Sequence, residues 1–399
     1  MVGWHDMTMV PVESLFTRWA LDSARDDESE ERLVLQLVEI LADALPLVRV
    51  ALSFRPSDPT LWALNVRWEA DLGVLAQPRL YDSTPSYAGS AVEAIFGGAG
   101  TIRERLETGS RFPLLEGLAR QKATDYLIQP IELGRGVRTF VSYATAREGG
   151  FTEPELQLLE RIHLSVASLV RLRSSRLSLS SLLRAYLGHN ASQRVLSGTL
   201  RRGHGEQISA AIWFCDLRGF TVLSQTLSPE RLLCVLDDYF QCVALAVTEA
   251  GGEILKFIGD AMLAIFPAAP SGPEGACAAA AEAAIAALAR FETDVAAAHR
   301  SFAGEENLGM GLSLHFGDVF YGNIGARDRL DFTVIGASVN LAARVQGQCT
   351  TLRTPLLMTG EFAAQLDRRD LLPLGSVPLK GIAMPPALLT LASFAPPAQ

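Results

Sequence analysis

The chain has 399 residues, of which 49% are hydrophobic and 20% charged. It is long enough for about two or three folded domains, and its composition excludes collagen-like and wholly disordered proteins. Its net charge of −9 gives it no global basic field, so we expect no nucleic-acid partner.

No uninterrupted apolar run reaches the roughly 18 residues that a membrane helix needs. The Ala-rich run from Gly275 to Phe291 is interrupted by Glu282 and Arg290. The chain has no basic residue before Arg18 and no apolar segment followed by a cleavage site. We therefore expect no membrane span, no secretory signal and a cytoplasmic protein.

Helices and paired strands are predicted in the first 170 residues. Residues 1–30, with their acidic run, are predicted to form a frayed leader, and a helix follows over residues 31–44. The remaining predicted elements are a hairpin of Leu47–Phe54 and Leu61–Trp68, a helical region at Tyr87–Glu107, a short helix near Leu114–Gln121, and a strand pair, Asp125–Leu133 and Val137–Thr145. This order predicts an α+β domain over residues 31–170.

That domain resembles a GAF-type sensor, and its end, FVSYATAREGGFTEPELQLLERI, looks like the end of one. The resemblance implies either a pocket for a small ligand or a module that only dimerises. Residues 6–162 contain neither His nor Cys, so a haem or a covalently linked chromophore has no obvious attachment point. A ligand of the GAF-like domain would therefore be non-covalent and metal-free.

A connecting helix is predicted from Glu153 to Leu187, where apolar residues recur at helical spacing. It leads into a linker, residues 171–204, that belongs to a stretch without acidic residues and rich in arginine. This basic stretch is either a docking site for an acidic surface or a solvated helix face. Because Tyr186 is its one aromatic residue, we favour the solvated face.

Two aspartates stand where strands are predicted to end. The strand Ile208–Phe214 runs into Cys215 and Asp216, and the following turn and helix include Phe220 and Thr221. The segment GGEILKFIGDAMLAIFP reads as a hairpin with Asp260 at its tip. Carboxylates from adjacent strand ends can bind a pair of Mg²⁺ ions that bridge a triphosphate. Each aspartate taken alone would more often be a turn or cap residue.

The last part of the chain predicts further strands and a polar helix face. Two short strands, Leu312–His315 and Val319–Tyr321, are predicted on either side of Gly317 and Asp318, and a strand, a turn and a helix follow. On that helix Asn340 and Arg344 are four residues apart, so their side chains share one face.

Four blocks of sequence resemble class III nucleotidyl cyclases in order and spacing: FCDLRGFT, EILKFIGDAMLAIF, GNIGARDRLDFTVIGASVNLAARV and VPLKG. The resemblance implies a ferredoxin-like α+β catalytic domain over residues 205–399. By the same resemblance Asp216 and Asp260 hold two Mg²⁺ or Mn²⁺ ions. It also implies substrate contacts by Lys256 and Thr333 at the purine, Asn340 at the ribose, Arg344 in the transition state, Lys380 at the triphosphate, and Phe220 and Thr221.

The purine pair favours ATP over GTP. Adenine presents an amino donor and a ring-nitrogen acceptor, which suit the Lys256 ammonium and the Thr333 hydroxyl, whereas guanine reverses both groups. The chain has only three lysines, Lys122, Lys256 and Lys380, yet two of them fall at lysine positions of the family. The resemblance is therefore to the bacterial adenylate cyclases that read purine with Lys and Thr, which convert ATP to cyclic AMP and pyrophosphate.

A homodimer is expected because Lys256 and Asp260 lie roughly 13 Å apart along one strand, too far for one site to use both. The family solves this with a head-to-tail homodimer that forms two shared sites. Two alternatives remain. A diguanylate cyclase would explain GGEIL but not the DFTVIG block, and a degenerate nucleotide-sensing scaffold would fit better if a metal-binding aspartate were missing.

Overall fold

A computed structural model describes residues 12–25, 28–58, 60–81, 87–106, 110–198, 203, 205–299, 308–326 and 329–397. The chain divides into a first unit, residues 1–185, and a second unit, residues 186–399. The division falls inside the predicted linker, residues 171–204. Among the described residues, no helix is both long enough and apolar enough to span a bilayer.

The first unit is a six-stranded antiparallel sheet with helices on both faces. The sheet has the order β3-β2-β1-β6-β5-β4. Its strands are β1 Leu47–Phe54, β2 Leu61–Glu69, β3 Gly73–Leu80, β4 Ile102–Arg105, β5 Asp125–Gly134 and β6 Val137–Thr145. Its helices are α1 Val12–Arg25, α2 Glu30–Leu41, α3 Ala91–Phe96, α4 Glu116–Arg120 and α5 Glu153–Leu187, which continues two residues into the second unit.

Side-chain alternation along the strands separates two cores in this unit. Helices α1, α2 and α5 pack on the face that carries Val50, Leu52 and Phe54 of β1. Helices α3 and α4 pack on the opposite face, against Ile128 and Phe140 among others. Since successive strand residues point to opposite faces, β1 serves both cores.

Three expectations for the first unit are corrected. The predicted leader contains α1, whose Phe16 and Trp19 are buried, so apolar packing orders part of it. The region predicted as helical at Tyr87–Glu107 holds only the short α3 and then the strand β4. Strand β3, which contains Pro78, was not predicted; it lies at the sheet edge, where proline is tolerated.

The second unit is an eight-stranded sheet of order β13-β14-β12-β10-β7-β9-β8, with β11 paired to β10. Its strands are β7 Gly205–Arg218, β8 Glu253–Ile258, β9 Ala261–Pro267, β10 Gly309–Gly325, β11 Leu330–Ile335, β12 Leu356–Thr359, β13 Leu371–Ser376 and β14 Ala387–Leu391. Its helices are α6 His189–Leu196, α7 Phe220–Thr226, α8 Pro229–Glu249, α9 Gly272–Arg290, α10 Ala297–His299, α11 Ala337–Gln346, α12 Gln348–Thr351 and α13 Gly360–Ala363.

The sheet of the second unit also has two covered faces. Helices α8 and α9 pack on one face, around Trp213 and Met262. On the other face, α6, β11 and α11 pack around Ile212, Leu263 and Tyr321. This second face carries Asp216 and Lys256, and the elements that cover it include β11, which holds Thr333, and α11, which holds Asn340 and Arg344.

Strand β10 corrects the prediction of two short strands around Gly317 and Asp318. It is one strand of 17 residues, paired with β7 from Gly309 to Gly322. Gly317 looked like a turn residue, but a Cβ there would stand 2.6 Å from Ser338 Oγ. The glycine therefore permits α11 to approach the strand closely.

Candidate active site

Asp216 and Asp260 meet at the ends of neighbouring strands. Asp216 of β7 lies opposite Ala261, the first residue of β9, in the antiparallel pairing of these strands. Asp260 directly precedes Ala261 in the chain. Gly259 has a φ of 65°, which allows the tight β8–β9 turn. The two carboxyl groups are within hydrogen-bonding reach of each other, and the Leu217 N–H donates to Asp216 Oδ1 at 3.1 Å.

The surroundings of Asp216 disfavour its ionised form. Burial, followed by the hydrogen bond and the negative charge of Asp260, raises the pKa of Asp216 to about 7. A divalent cation would offset the repulsion between the two carboxyl groups of this acidic pair, and carboxylate oxygens are the ligands that Mg²⁺ prefers. No cluster of three or more His, Cys, Asp or Glu side chains suited to a metal occurs in the part of the chain that the structure describes. The acidic pair is therefore the candidate metal site.

Lys256 and Thr333 lie on β8 and β11, together with a residue that the sequence analysis missed. The Lys256 ammonium donates a hydrogen bond to Asp331, two residues before Thr333 on β11. Thr333 is 5% exposed, and its hydroxyl oxygen has no hydrogen-bond partner among the residues that the structure describes. An unpaired buried hydroxyl is costly unless a ligand satisfies it, which fits the expected purine contact.

Helix α11 begins after Gly336 and presents Asn340 and Arg344 on its exposed side. The Arg344 guanidinium donates to the carbonyl oxygen of Lys380, in the segment between β13 and β14. The structure therefore brings Arg344 and the Lys380 backbone together, and it places Asn340 one helical turn before Arg344.

Phe220 and Thr221 open α7, directly after the left-handed Gly219. The Phe220 ring packs against the core between the sheet and α8, whereas Thr221 is exposed. Of this pair, only Thr221 presents its side chain to solvent.

The structure brings the predicted residues together in separate groups. Lys256 is level with Leu263 and Asp216 is level with Ala261, so both point to the same sheet face. On β10, however, Asp216 is level with Gly311, and Thr333 is level with Gly322, eleven residues further along. No hydrogen bond or ion pair among the described residues joins the acidic pair to Lys256 or Thr333.

A second polar group lies on the strand that carries Lys256 and was also missed. Glu253 of β8 is 8% exposed and accepts hydrogen bonds from the Tyr321 hydroxyl at 2.7 Å and from Asn190 Nδ2 at 2.8 Å. The Arg194 guanidinium lies over the Tyr321 ring, 5.0 Å from its centroid. These contacts fix α6 to the strand that carries Lys256. The buried carboxylate three residues before Lys256 is the one sequence feature that could have pointed to them.

Comparisons with known proteins identify the family that part of this chain resembles. The family model of the adenylate and guanylate cyclase catalytic domain matches residues 204–384. An adenylate cyclase of Anabaena cylindrica is 36% identical over 155 residues, which are 39% of this chain and 30% of that protein. Adenylate cyclase 1 of Rhizobium meliloti is 32% identical over 169 residues, 42% of this chain and 25% of that protein.

Among solved structures, the adenylyl cyclase CyaB from P. aeruginosa is 26% identical, with a TM-score of 0.43; the match covers 47% of this chain and 95% of that one. The chain spans less than a third of the length of the two curated relatives. The residues that the family model matches nevertheless include the acidic pair, Lys256, Thr333 and helix α11. The second unit of this chain therefore carries a catalytic domain of the class III cyclase family.

Proposed function

We propose that residues 205–399 convert ATP to 3′,5′-cyclic AMP and pyrophosphate. The ribose 3′ oxygen attacks the α-phosphorus, the bond from the α-phosphorus to the bridging oxygen breaks, and pyrophosphate leaves while the hydroxyl proton passes to solvent. The observation that supports this reaction most strongly is the acidic pair, with its raised pKa at Asp216, inside a cyclase catalytic domain.

The acidic pair would hold two Mg²⁺ or Mn²⁺ ions. When bound, such ions lower the pKa of the attacking hydroxyl and offset the charge that develops on the triphosphate. The Asp216 and Asp260 carboxylates would hold the ions, and a bound cation would favour the ionised form of Asp216. The proposed reaction requires no side-chain general base, because the hydroxyl proton passes to solvent.

The other polar residues bind and orient the nucleotide. Lys256 supplies a donor and Thr333 an acceptor at the adenine edge, which favours ATP over GTP. Asn340 would position the ribose, and Arg344 would stabilise the charge that develops on the transferred phosphoryl group. Lys380 would contact the triphosphate, and Thr221 would lie near it.

The active form is proposed to be a head-to-tail homodimer with two shared sites. In support, Asp216 of the acidic pair lies opposite Gly311, near the beginning of β10, whereas Thr333 lies opposite Gly322, near its end. Three apolar side chains near the proposed sites are also about half exposed: Phe257 at 51%, Ile258 at 48% and Ile335 at 49%. A second copy of the chain would cover these side chains and supply the missing half of each site.

The test of the reaction is product analysis by chromatography. Purified protein is incubated with ATP or with GTP in the presence of Mn²⁺ or Mg²⁺. We expect cyclic AMP and pyrophosphate from ATP, little product from GTP, and none from the Asp260→Asn variant. A cyclic GMP product, or an equal yield from the wild type and the variant, would contradict the proposal.

The test of the shared site is complementation between two inactive variants. Every site of an Asp216→Ala homodimer lacks a metal ligand, and every site of an Arg344→Ala homodimer lacks the transition-state arginine. Mixing and re-equilibrating the two should restore activity, since one site of the heterodimer is then complete. A heterodimer confirmed by two affinity tags that stays inactive would exclude sharing.

The first unit is proposed to be a GAF-like regulatory domain. In support, it is an antiparallel sheet with helices on both faces. Its cross-strand neighbours Ser53 and Asn65 have buried side-chain oxygen atoms that find no hydrogen-bond partner in the described ranges of the chain. A small ligand would satisfy such groups, whereas a purely dimerising module would not need them. The signal would pass through α5 to the catalytic domain.

An insertion series in α5 tests this regulation. Two residues inserted after Ser175 would turn the following helix by about 200° and should change the rate strongly. A seven-residue insertion adds nearly two full turns and should change it far less. Equal rates for insertions of two, four and seven residues would show that α5 is a passive tether.

A further inference from the structure

In the first unit, the sheet face on the side of α3 and α4 is polar along β1, β2 and β3. On β2, Asn65, Arg67 and Glu69 alternate with apolar residues that belong to the core on the other face. Ser53 of β1 and Gln77 of β3 lie opposite Asn65 in the strand pairing and share its face. A sheet face beneath helices usually carries apolar side chains, so packing does not explain this composition.

This arginine-rich face carries an excess of positive charge. All charged residues of β1, β2 and β3 lie on it, and they are Arg49, Arg67, Arg79 and Glu69. The Glu69 carboxylate lies 3.7 Å from Arg49 Nε and 3.3 Å from Arg67 Nε, whereas Arg79 donates to Gln77 Oε1 at 3.5 Å. Burial lowers the pKa of the Arg49 guanidinium. On these strands one carboxylate therefore faces three guanidinium groups.

Several buried side-chain atoms of the arginine-rich face have no hydrogen-bond partner among the described residues. They are Ser53 Oγ, Asn65 Oδ1 and the Nε atoms of Arg49, Arg67 and Arg79. The Glu69 carboxylate forms ion pairs with two of these arginines, but no hydrogen bond with their Nε atoms. Unpaired buried polar atoms are costly, and here they gather on one face of three neighbouring strands. This concentration indicates a site that a ligand completes.

An aromatic pair stands beside the arginine-rich face. Asn65 Nδ2 donates to the Tyr87 hydroxyl at 2.6 Å, which leaves Asn65 Oδ1 as the free end of the amide. The Arg79 guanidinium lies 5.8 Å from the centroid of the Tyr87 ring. That ring meets Phe96, the last residue of α3, edge-on at 6.0 Å. A bound molecule would thus meet charged groups on the sheet and apolar surface beside them.

We propose that the arginine-rich face binds a small organic anion, with a carboxylate or phosphate group at Arg67 and Arg79 and a hydroxyl or amino group that donates to Asn65 Oδ1. This inference rests on the proposed regulatory role of the first unit and gives the chemical class of its ligand. The planar guanidinium group matches two oxygens of a carboxylate or a phosphate. A neutral ligand would leave the excess charge uncompensated, and a cation would be repelled.

Calorimetry on the full chain, without nucleotide or divalent cation, tests this site. The probes are malate and glycerol 3-phosphate, two anions that carry a hydroxyl group, and the neutral control is glycerol. We expect wild type to bind at least one of the anions and not glycerol. Arg67→Gln and Arg79→Gln should each lower the affinity about tenfold or more, the effect of losing a charge-assisted hydrogen bond. Arg79→Lys keeps the charge and should recover part of the loss.

Arg32→Gln is the matched control. It removes the same charge from an exposed position on α2, which packs on the opposite face of the sheet, and should bind as wild type does. Thermal unfolding of each variant checks its fold, and if Arg67→Gln does not fold, the two Arg79 variants carry the test.

The inference would be overturned if wild type bound neither anion. It would also be overturned if a folded Arg67→Gln or Arg79→Gln variant kept the wild-type affinity. Cyclic AMP formation by the same preparations separates this inference from the proposed function. Anion binding that leaves the rate unchanged would contradict the regulatory role of the first unit and leave the site intact. An active enzyme that binds neither anion would overturn the inference alone.

Discussion

The side chain of Asn190 donates a hydrogen bond of 2.8 Å to the Glu253 carboxylate, and so connects α6 to the first residue of β8. The same carboxylate accepts from the Tyr321 hydroxyl of β10. Because Glu253 is buried, these two donors replace the water that its charge would otherwise require. The segment that follows α5 is thereby attached to the strand that carries Lys256.

The Tyr321→Phe substitution removes one of these donors without changing the packing. We expect the free energy of unfolding to fall by about 1.5–3 kcal/mol, the usual contribution of a hydrogen bond to a charged group. The control is Tyr186→Phe, since the Tyr186 side chain is 83% exposed. Urea denaturation of both variants measures the difference, and an equal stability for the two would mean that the Glu253 contacts do not stabilise the domain.

Asp216→Asn should stabilise the metal-free protein, and more so at higher pH. The carboxyl group has a pKa of about 7 in the folded chain, above its ordinary value of 3.8. Its ionisation is therefore unfavourable in the folded state, and the free energy of unfolding falls as the pH rises from about 4 to about 7. Asparagine carries no such cost, so the Tm difference should be near zero at pH 4 and largest at pH 8. A Tm difference that does not change with pH would contradict the raised pKa.

Thr333→Val should lower affinity for ATP without lowering stability. The Thr333 hydroxyl is buried and makes no hydrogen bond within the described part of the chain, so its replacement by a methyl group removes no interaction seen in the fold. Thr354→Val is the control, because the Thr354 hydroxyl contacts Leu356, Thr390 and Phe394. We expect the control to lose about 1–3 kcal/mol of stability, and Thr333→Val to keep its stability while KM rises about tenfold.

Phe16→Ala should destabilise the first unit by about 3–5 kcal/mol. Phe16 has no exposed surface and packs with α2 and α5, and its ring lies edge-on to Trp19 at 6.2 Å. Leu21→Ala, at a position 56% exposed on the same helix, should cost far less. Denaturation of the isolated variants, monitored by tryptophan fluorescence, separates the two. If both substitutions had the same small effect, α1 would not belong to the core.

Local patterns in the sequence were sufficient where an element carries its own periodicity. The helix Glu153–Leu187 has the predicted bounds because its apolar residues repeat at helical spacing over many turns. The hairpins β1–β2, β5–β6 and β8–β9 were predicted from alternation and turn residues. Asp216 and Asp260 come together because both flank the same strand pair.

Contacts between segments that are distant in the sequence could not be predicted from such local patterns. Lys256 and Asp331 are 75 residues apart, and no periodicity links them. The four-residue strand β4 is too short to show alternation, and its pairing with β5 supplies the stability that its own residues lack. Phe16 and Trp19 precede the acidic run within the predicted leader, and only the packed helices around them reveal their role.

Strand β10 connects the two halves of the catalytic domain through its backbone. It is level with Asp216 at Gly311 and with Thr333 at Gly322, and it pairs with β7 over the whole interval. The spacing between the acidic pair and the Thr333 hydroxyl is thus set by a count of peptide units, and an added residue would reverse the sheet face of every strand residue beyond it. A side chain at either end of this interval can therefore be exchanged without moving the other end, whereas an insertion between Gly311 and Gly322 would displace the two groups relative to each other.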